Sequence, residues 1–168
     1  RSQLFFEEHL TQMGVRVESN DGFLPISVHG RMKGGSVEID GSASSQFLSG
    51  MLMSLPLIEE NSTLMVRNLK SIPYVQMTLN TLNAFGVKIE HDNFESFSIA
   101  GNQSYACEEY TVEGDWSSAS YWLVAAALGH PVSITGLNME SAQADKALLK
   151  MLESANCTID YADDAISV

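Results

Sequence analysis

Hydroxyl side chains are concentrated in one short stretch of the chain, residues 40–50, which read DGSASSQFLSG. Ser42, Ser44 and Ser45 lie within four positions, and Gln46 follows them directly. The stretch separates a strand-like run from an apolar helical run, so these serines are expected at a helix N-terminus. Hydroxyls there either cap unsatisfied backbone N–H groups or join those groups in binding an oxyanion such as phosphate. Because capping uses one or two hydroxyls, the surplus favours a bound anion.

A second polar stretch, residues 69–76 with the sequence LKSIPYVQ, precedes the next predicted helix. Ser71 and Tyr74 flank the start of that helix, and Arg67 and Lys70 come just before it. The chain has only nine Lys and Arg residues, so an anionic ligand would depend on a few placed cations and on backbone amides. The alternative interpretation is a polar turn whose charges lie exposed at a strand end.

Composition limits the classes of protein that this chain can represent. With 168 residues, 45% of them hydrophobic, it can bury a core. Its formal net charge of -12 argues against a nucleic-acid partner, whose phosphates require clustered cations. The longest uncharged run, 116–139, is interrupted by Ser, Gly, His and Pro, so no membrane span is expected, and no signal-peptide pattern opens the chain. We therefore expect a soluble, cytoplasmic protein in which Cys107 and Cys157 are reduced thiols.

The elements that must position these residues repeat along the chain. Three segments end a helical pattern and start a strand in the same way, at Gly14, Gly86 and Asn156, with spacings of 72 and 70. Glycine and asparagine tolerate the left-handed conformation that closes a helix, so all three positions make the same conformational demand. One supersecondary unit is therefore expected to recur.

The serine-rich turn also has a second copy. VEIDGSASSQFL, residues 37–48, and YTVEGDWSSASYWL, residues 110–123, each contain a strand, an acidic residue, a glycine and paired serines, and they match with a shift of 73. Ala119 stands in the second copy where Gln46 stands in the first. This difference predicts helix capping in the second copy and ligand contact in the first.

The predicted elements alternate between helix and strand. The helix over 73–85 carries Val75, Leu79, Leu82 and Phe85 on one face, which is typical of a helix packed on a sheet. An α/β fold is expected, with units of helix, strand, helix, strand, strand arranged about an axis; a solenoid is the alternative. The chain is expected to begin with a helix over 3–13 that packs Leu4, Leu10 and Met13 into the core. Further helices are expected over 44–55, 73–85, 117–128 and 142–154. Strands are expected over 63–67, 87–91, 95–100 and 132–135.

Three blocks in this order resemble the central part of the 5-enolpyruvylshikimate-3-phosphate (EPSP) synthase family: GSASSQFLSGMLMSLPL, SIPYVQMTLNTLNAFGVKIEH and VEGDWSSASYWLVAAAL. The resemblance covers most of the chain and implies part of an inside-out α/β barrel of the enolpyruvyl transferase type, with pseudo-threefold units. It also implies two domains, with residues 1–113 in the first, 114–168 in the second, and a hinge near Glu113–Asp115. The alternative is that Gly114 and Asp115 merely end a strand and cap a helix.

The resemblance assigns a ligand to the two polar stretches. The family's serine-serine-glutamine run binds shikimate 3-phosphate, which implies this role for Ser44, Ser45 and Gln46. A later serine and tyrosine contact the same ligand, and they correspond to Ser71 and Tyr74. These five residues are the predicted substrate-binding set.

Two positions depart from the family's pattern. The family usually has a lysine between its later serine and tyrosine, whereas this chain has Ile72. An arginine that contacts phosphoenolpyruvate in the family corresponds to Arg1, which is followed by Ser2 in place of the usual proline.

The implied reaction transfers the enolpyruvyl group of phosphoenolpyruvate to shikimate 3-phosphate, in aromatic amino-acid biosynthesis, by addition and elimination without a metal or cofactor. The family's acid, base and most cationic residues fall outside this chain, so it is expected to be an excised middle portion that contains no catalytic residue and does not turn over alone. The whole enzyme is expected to be a monomer, and the isolated chain is expected to self-associate through uncovered apolar faces.

Two other functions compete with this one. The first is the related enolpyruvyl transferase that acts on UDP-N-acetylglucosamine, whose reactive-loop cysteine has no counterpart here. The second is a noncatalytic repeat module whose serines are all helix caps and whose surface binds protein.

Overall fold

The structure is a computed structural model that describes residues 4–42, 45–162 and 164–168. The chain divides into two compact units, Arg1–Glu108 and Glu109–Val168. This division lies a few residues before the hinge expected near Glu113–Asp115. The assignment of the two parts to the two domains of the family stays a prediction.

The first unit is a mixed α/β unit. Its elements follow the predicted order of helix, strand, helix, strand, strand from the second helix onward. In chain order they are α1 (Leu4–Gln12), β1 (Arg16–Asn20), β2 (Phe23–His29), β3 (Gly35–Asp40), α2 (Ser45–Ser54), a 3-10 turn (Leu55–Leu57), β4 (Ser62–Arg67), α3 (Ile72–Ala84), β5 (Ile89–Asp92) and β6 (Ser96–Ile99).

Two sheets form in this unit. Strands β1 and β2 pair as an antiparallel hairpin. The second sheet has the order β3-β4-β6-β5, in which β3 and β4 are parallel and the other pairs are antiparallel. A parallel pair needs a crossover, and α2 provides it.

The apolar faces of α2 and α3 pack with the inward side chains of this sheet in one core. Strand β3 alternates strictly, because Val37 and Ile39 are buried while their neighbours are exposed. Helix α3 buries Val75, Leu79 and Leu82, as its spacing predicts. The remaining buried core residues are Met13, Phe47, Leu48, Met51, Leu52, Leu55, Leu64, Val66, Val87, Phe97 and Ile99.

Helix α1 contributes less to this core than the sequence predicts. Met13, just after the helix, is buried, and Leu10 packs against the core, but Leu4 is 56% exposed. The expectation that Leu4 is a core residue is therefore wrong. Leu4 is the first residue of α1, at the end of the helix that lies farther along the chain from the buried Met13.

The second unit repeats the same order of elements. Its elements are α4 (Trp116–Ala127), β7 (Ser133–Thr135), a 3-10 turn (Ala144–Ala147), α5 (Leu148–Ser154), β8 (Asp160–Ala162) and β9 (Ala165–Ser167). The three strands form an antiparallel sheet in the order β7-β9-β8. Its own core buries Trp116, Leu123, Leu149, Leu152 and Ile166.

The last helix begins later than predicted. We expect a helix over 142–154 from its composition, but α5 starts at Leu148 after the short 3-10 turn. Gln143 has an extended backbone with φ −62° and ψ 124°. Its side-chain Nε2 donates to the backbone carbonyl of Gly114 at 2.9 Å. The side-chain contacts of Gln143 therefore hold this stretch out of the helix.

The three predicted helix ends are confirmed. Gly14, Gly86 and Asn156 have φ values of 77°, 82° and 63°, in the left-handed region. After each one, the next backbone N–H donates to the carbonyl five residues back, at 3.2, 2.9 and 3.0 Å. This is the bond of a Schellman helix end, so the repeat read from the sequence is a repeat of hydrogen bonding.

Neither sheet of the first unit nor the sheet of the second closes into a barrel within the described ranges. None of the helices in those ranges is both long and apolar enough to cross a membrane.

Candidate functional site

Two helices of the first unit begin at the same edge of the sheet. Strands β3 and β4 run parallel and in register, with Asp40 opposite Arg67. Helix α2 follows β3, and α3 follows β4, so the two connecting loops lie side by side at the carboxyl ends of the strands. This edge is where α/β proteins commonly place a ligand.

Gly41 holds these two loops together. Its N–H donates to the carbonyl of Arg67 at 2.8 Å, and its carbonyl accepts from the N–H of Lys70 at 3.4 Å. A Cβ atom at this position would lie 2.8 Å from the Cα of Leu69, too close for any side chain. Glycine is therefore required at position 41 because the second loop crosses its backbone at contact distance.

Asp40 fixes the start of the serine-rich turn. Its Oδ1 accepts a hydrogen bond from the N–H of Ser42 at 2.9 Å. The pKa of Asp40 lies below its ordinary value, mainly because of this backbone bond and a further one from the Ser42 hydroxyl. Burial opposes them, and Asn68 and the charge of Lys70 add smaller effects in the lowering direction. The carboxylate stays ionised and draws residues from both loops together.

A pocket with a volume of about 800 Å³ is lined by α2 and α3 and extends along both helices from their first turns. We call it the two-helix pocket. The hydroxyls of Ser49 and Thr78 meet at 2.8 Å and join the two helices along it. Its lining, within the described part of the chain, is Ser42, Ser45, Gln46, Ser49, Met53, Lys70, Ser71, Tyr74, Met77, Thr78, Thr81 and Leu82.

The two-helix pocket brings together four residues of the predicted substrate-binding set. Ser45 and Gln46 come from the first polar stretch, and Ser71 and Tyr74 come from the second. The fifth, Ser44, and the predicted phosphoenolpyruvate contact Arg1 lie outside the described residues.

Ser49 and Thr78 are among the pocket residues that the sequence analysis missed. Each lies four residues after a predicted site residue, Ser45 in α2 and Tyr74 in α3. Residues separated by four lie on one face of a helix, so this spacing was the signal available in the sequence.

Helix α3 offers side-chain donors at its start in place of main-chain ones. Ser71, the residue before its first turn, has φ 60° and ψ 40° and makes no capping hydrogen bond with its side chain. Pro73 lacks an N–H, and the N–H of Tyr74 donates to the carbonyl of Ser71 at 3.1 Å. A left-handed conformation is costly for serine, and such residues cluster at binding sites.

The second serine-rich turn is filled by a carboxylate. Asp115 caps α4, accepting from the N–H groups of Ser117 at 3.0 Å and Ser118 at 3.2 Å and from the Ser118 hydroxyl. The hydrogen bond from that hydroxyl is the main reason why the pKa of Asp115 lies below its ordinary value. The prediction of a capping turn is confirmed, but the cap is Asp115, and the serines are its donors. The shift of 73 places Ser42 at the position of Asp115, so the first turn carries a neutral hydroxyl there.

The two candidate cations near the pocket have different environments. The Nε of Arg67 forms an ion pair with Glu38 at 2.7 Å, between exposed side chains. Lys70 lines the two-helix pocket. Of the two, only Lys70 is directed toward the predicted site residues.

Comparison with known proteins identifies a family and relatives that this chain resembles. The family model described as EPSP synthase (3-phosphoshikimate 1-carboxyvinyltransferase) matches residues 6–168. A curated relative, the 3-phosphoshikimate 1-carboxyvinyltransferase of Pseudoalteromonas atlantica, is 41% identical over 96% of this chain. The chain spans 39% of the length of that relative.

Solved structures share the fold. EPSP synthase from Acinetobacter baumannii superposes with a TM-score of 0.73 at 19% identity, covering 100% of this chain and 39% of the other. The enolpyruvyl transferase NikO from Streptomyces tendae gives a TM-score of 0.68 at 20% identity, covering 97% and 41%. The expected α/β fold of the enolpyruvyl transferase type, represented in part, is thus confirmed, and the match along nearly the whole sequence means that this chain belongs to the EPSP synthase family.

Proposed function

We propose that this chain is part of an enzyme that transfers the enolpyruvyl group of phosphoenolpyruvate to shikimate 3-phosphate, and that the two-helix pocket binds shikimate 3-phosphate. One observation carries the proposal. Residues from the starts of two separate helices, Ser45 with Gln46 and Ser71 with Tyr74, line one pocket in a chain of this family. Curated relatives are named for this reaction.

The pocket has the chemistry that a phosphorylated, hydroxylated ring requires. The first turns of α2 and α3 both contribute to the lining, and hydroxyl side chains accompany them, which favours a phosphate group. The Gln46 amide and the Tyr74 phenol can each donate and accept, as the hydroxyl groups of a ring require. The side chains of Met53, Met77 and Leu82 give the pocket an apolar wall against which a carbon ring can lie.

The chain alone is expected to bind and position substrate without turning it over. It spans 39% of the length of a curated relative, and we propose that the acid and base of the reaction lie in the remainder. A phosphoenolpyruvate contact from Arg1, a monomeric whole enzyme, self-association of the isolated chain and a cytoplasmic location stay predictions.

The binding proposal is tested by titrating the ¹⁵N-labelled chain with shikimate 3-phosphate. The amide signals of Ser45, Gln46, Ser71 and Tyr74 are expected to shift together with one dissociation constant. The matched control is the second serine-rich turn, whose amides at 117 and 118 donate to Asp115 and should not respond. No response at millimolar ligand, or an equal response at both turns, would contradict the proposal.

A further inference from the structure

We propose that Lys70 supplies the cationic contact to the phosphate group in the two-helix pocket. Ile72, which stands where the family usually has a lysine, carries no charge and cannot supply this contact. The inference rests on the proposed function of the pocket and adds a residue that selects for a phosphorylated ligand. It also separates the two cations, Lys70 and Arg67, that the sequence leaves equivalent.

Lys70 is the single charged side chain in the described lining of this pocket. The other lining residues are hydroxyl, amide, thioether or aliphatic side chains. A phosphate monoester carries close to two negative charges at neutral pH, and the whole chain carries a formal net charge of -12. The long-range field of the chain therefore opposes the ligand, and one local ammonium group offsets this opposition directly.

The backbone fixes the side on which Lys70 lies. Its N–H donates to the carbonyl of Gly41 at 3.4 Å, which ties it to the serine-rich turn. The left-handed residue Ser71 follows, and the chain direction changes there before α3 begins. Lys70 thus sits between the two polar loops, beside Ser42 and Ser71 in the pocket lining.

Ile72 and Arg67 lie on a different surface. Both line a separate pocket of about 630 Å³ that also contains Glu38 and Glu95. Arg67 is already paired with Glu38 at 2.7 Å. A cation at position 72 would therefore face carboxylates, and a phosphate there would meet two like charges.

Asp40 interacts weakly with the charge of Lys70. The charge of Lys70 is among the causes that lower the pKa of Asp40, so the two groups interact in the unliganded chain. Both side chains are at the surface, where ion pairs are weak, so a phosphate can recruit the ammonium at little cost.

The experiment measures dissociation constants for shikimate 3-phosphate and for shikimate, which lacks the phosphate. We expect Lys70→Gln to weaken binding of shikimate 3-phosphate by about ten-fold, as for the loss of a charge-assisted hydrogen bond, and to change shikimate binding by less than about two-fold. Lys70→Arg should retain most of the affinity. Lys88→Gln, which removes the same charge from the first unit at a different pocket, is the matched control and should bind like the parent chain.

The outcomes separate the two proposals. If the parent chain binds shikimate 3-phosphate and Lys70→Gln binds it equally well, the role of Lys70 is overturned and the proposed function stands. Equal weakening of binding by Lys70→Gln and Lys88→Gln would mean that the affinity depends only on net charge, and would also overturn the role of Lys70. Restoration of affinity by Ile72→Lys in the Lys70→Gln background would place the cation on the other side and contradict the inference. A parent chain that binds neither compound overturns both proposals.

Discussion

At the scale of single residues, one exchange distinguishes the two serine-rich turns. Asp115 places a carboxylate at the start of α4, where it accepts two backbone N–H groups and a hydroxyl. Ser42 occupies the matching position before α2 and leaves the helix end without that negative charge. A helix N-terminus that already holds a carboxylate cannot also bind a phosphate, so this exchange decides which turn is available to an anion.

The substitution Ser42→Asp should convert the first turn into a copy of the second. The new carboxylate is expected to repel shikimate 3-phosphate and to weaken its binding by more than about ten-fold, while the free energy of unfolding changes by less than about 1 kcal/mol. The stability change is small because capping of α2 is opposed by repulsion from Asp40. Calorimetric titration and urea unfolding measure the two quantities. Ser42→Asn, of the same shape and no charge, is the control and should retain binding; equal affinity in all three proteins would contradict the prediction.

The sequence alone identified the residue types of the pocket but not their hydrogen bonds. Gln46 could be chosen because its neighbours repeat along the chain and match a family pattern, and Tyr74 because it flanks a predicted helix start and matches that pattern. Capping by Asp115 was one of two interpretations, because the run DWSS over 115–118 is compatible with either the aspartate or a serine acting as the cap. Only the observed direction of the bonds, from Ser117 and Ser118 to Asp115, resolves this.

At the scale of elements, helix ends and loop contacts position the pocket. The left-handed ends at Gly14, Gly86 and Asn156 were predictable because glycine and asparagine mark them at a regular spacing. A fourth such end, at Gly129 after α4, has φ 94° and the same bond from His130 to the carbonyl of Ala125 at 3.3 Å. It was missed because it lies within a unit and so does not share the spacing of the other three.

Two glycine substitutions should have opposite effects on stability. Gly41→Ala is expected to destabilise the first unit by about 1–3 kcal/mol, because its Cβ would overlap the Leu69 backbone at 2.8 Å. Gly50→Ala, in the interior of α2 with nothing within 4 Å of the new Cβ, should stabilise it by about 0.5–1 kcal/mol. Urea unfolding of both variants measures these changes. A stable Gly41→Ala protein that still binds shikimate 3-phosphate would show that the two loops do not need this contact.

At the scale of the whole molecule, each unit uses a carboxylate a few residues before a helix to organise the nearby loop, although the strand predicted ahead of the second of these carboxylates does not form in the described residues. Asp40 does so in the first unit. In the second, Glu113 accepts from Ser141 at 2.8 Å, Gln143 at 3.0 Å and Asn138 at 3.2 Å. The repeat pattern predicted an acidic residue at both places, but not the partners of Glu113. Of these partners only Gln143 lies in the stretch 142–154 that is predicted as helix, and its contacts with Glu113 and Gly114 accompany an extended backbone before α5.

These carboxylates should make the chain sensitive to acid. Burial alone would raise the pKa of Glu113. Three hydrogen bonds and the charge of Lys146 outweigh burial and hold this pKa below its ordinary value. The folded second unit therefore binds this proton less readily than the unfolded chain does. Its stabilising effect is fully present above about pH 5 and is lost as the pH falls through the lower, folded pKa.

The variant Glu113→Gln tests this network directly. Its amide group keeps one acceptor oxygen and turns an NH2 group either toward Asn138 or toward Ser141 and Gln143, which are donors, so we expect a loss of about 1–2 kcal/mol in the free energy of unfolding at pH 7. At about pH 3, where the parent carboxyl is increasingly protonated, the difference between the two proteins should shrink. Urea unfolding at both pH values can be followed by the fluorescence of Trp116, which is fully buried and whose backbone N–H donates to the side-chain carbonyl of Gln143 at 2.8 Å. An equal loss at both pH values would mean that the negative charge of Glu113 does not contribute to the free energy of unfolding, and that its hydrogen bonds stabilise the second unit equally well when the carboxyl is protonated.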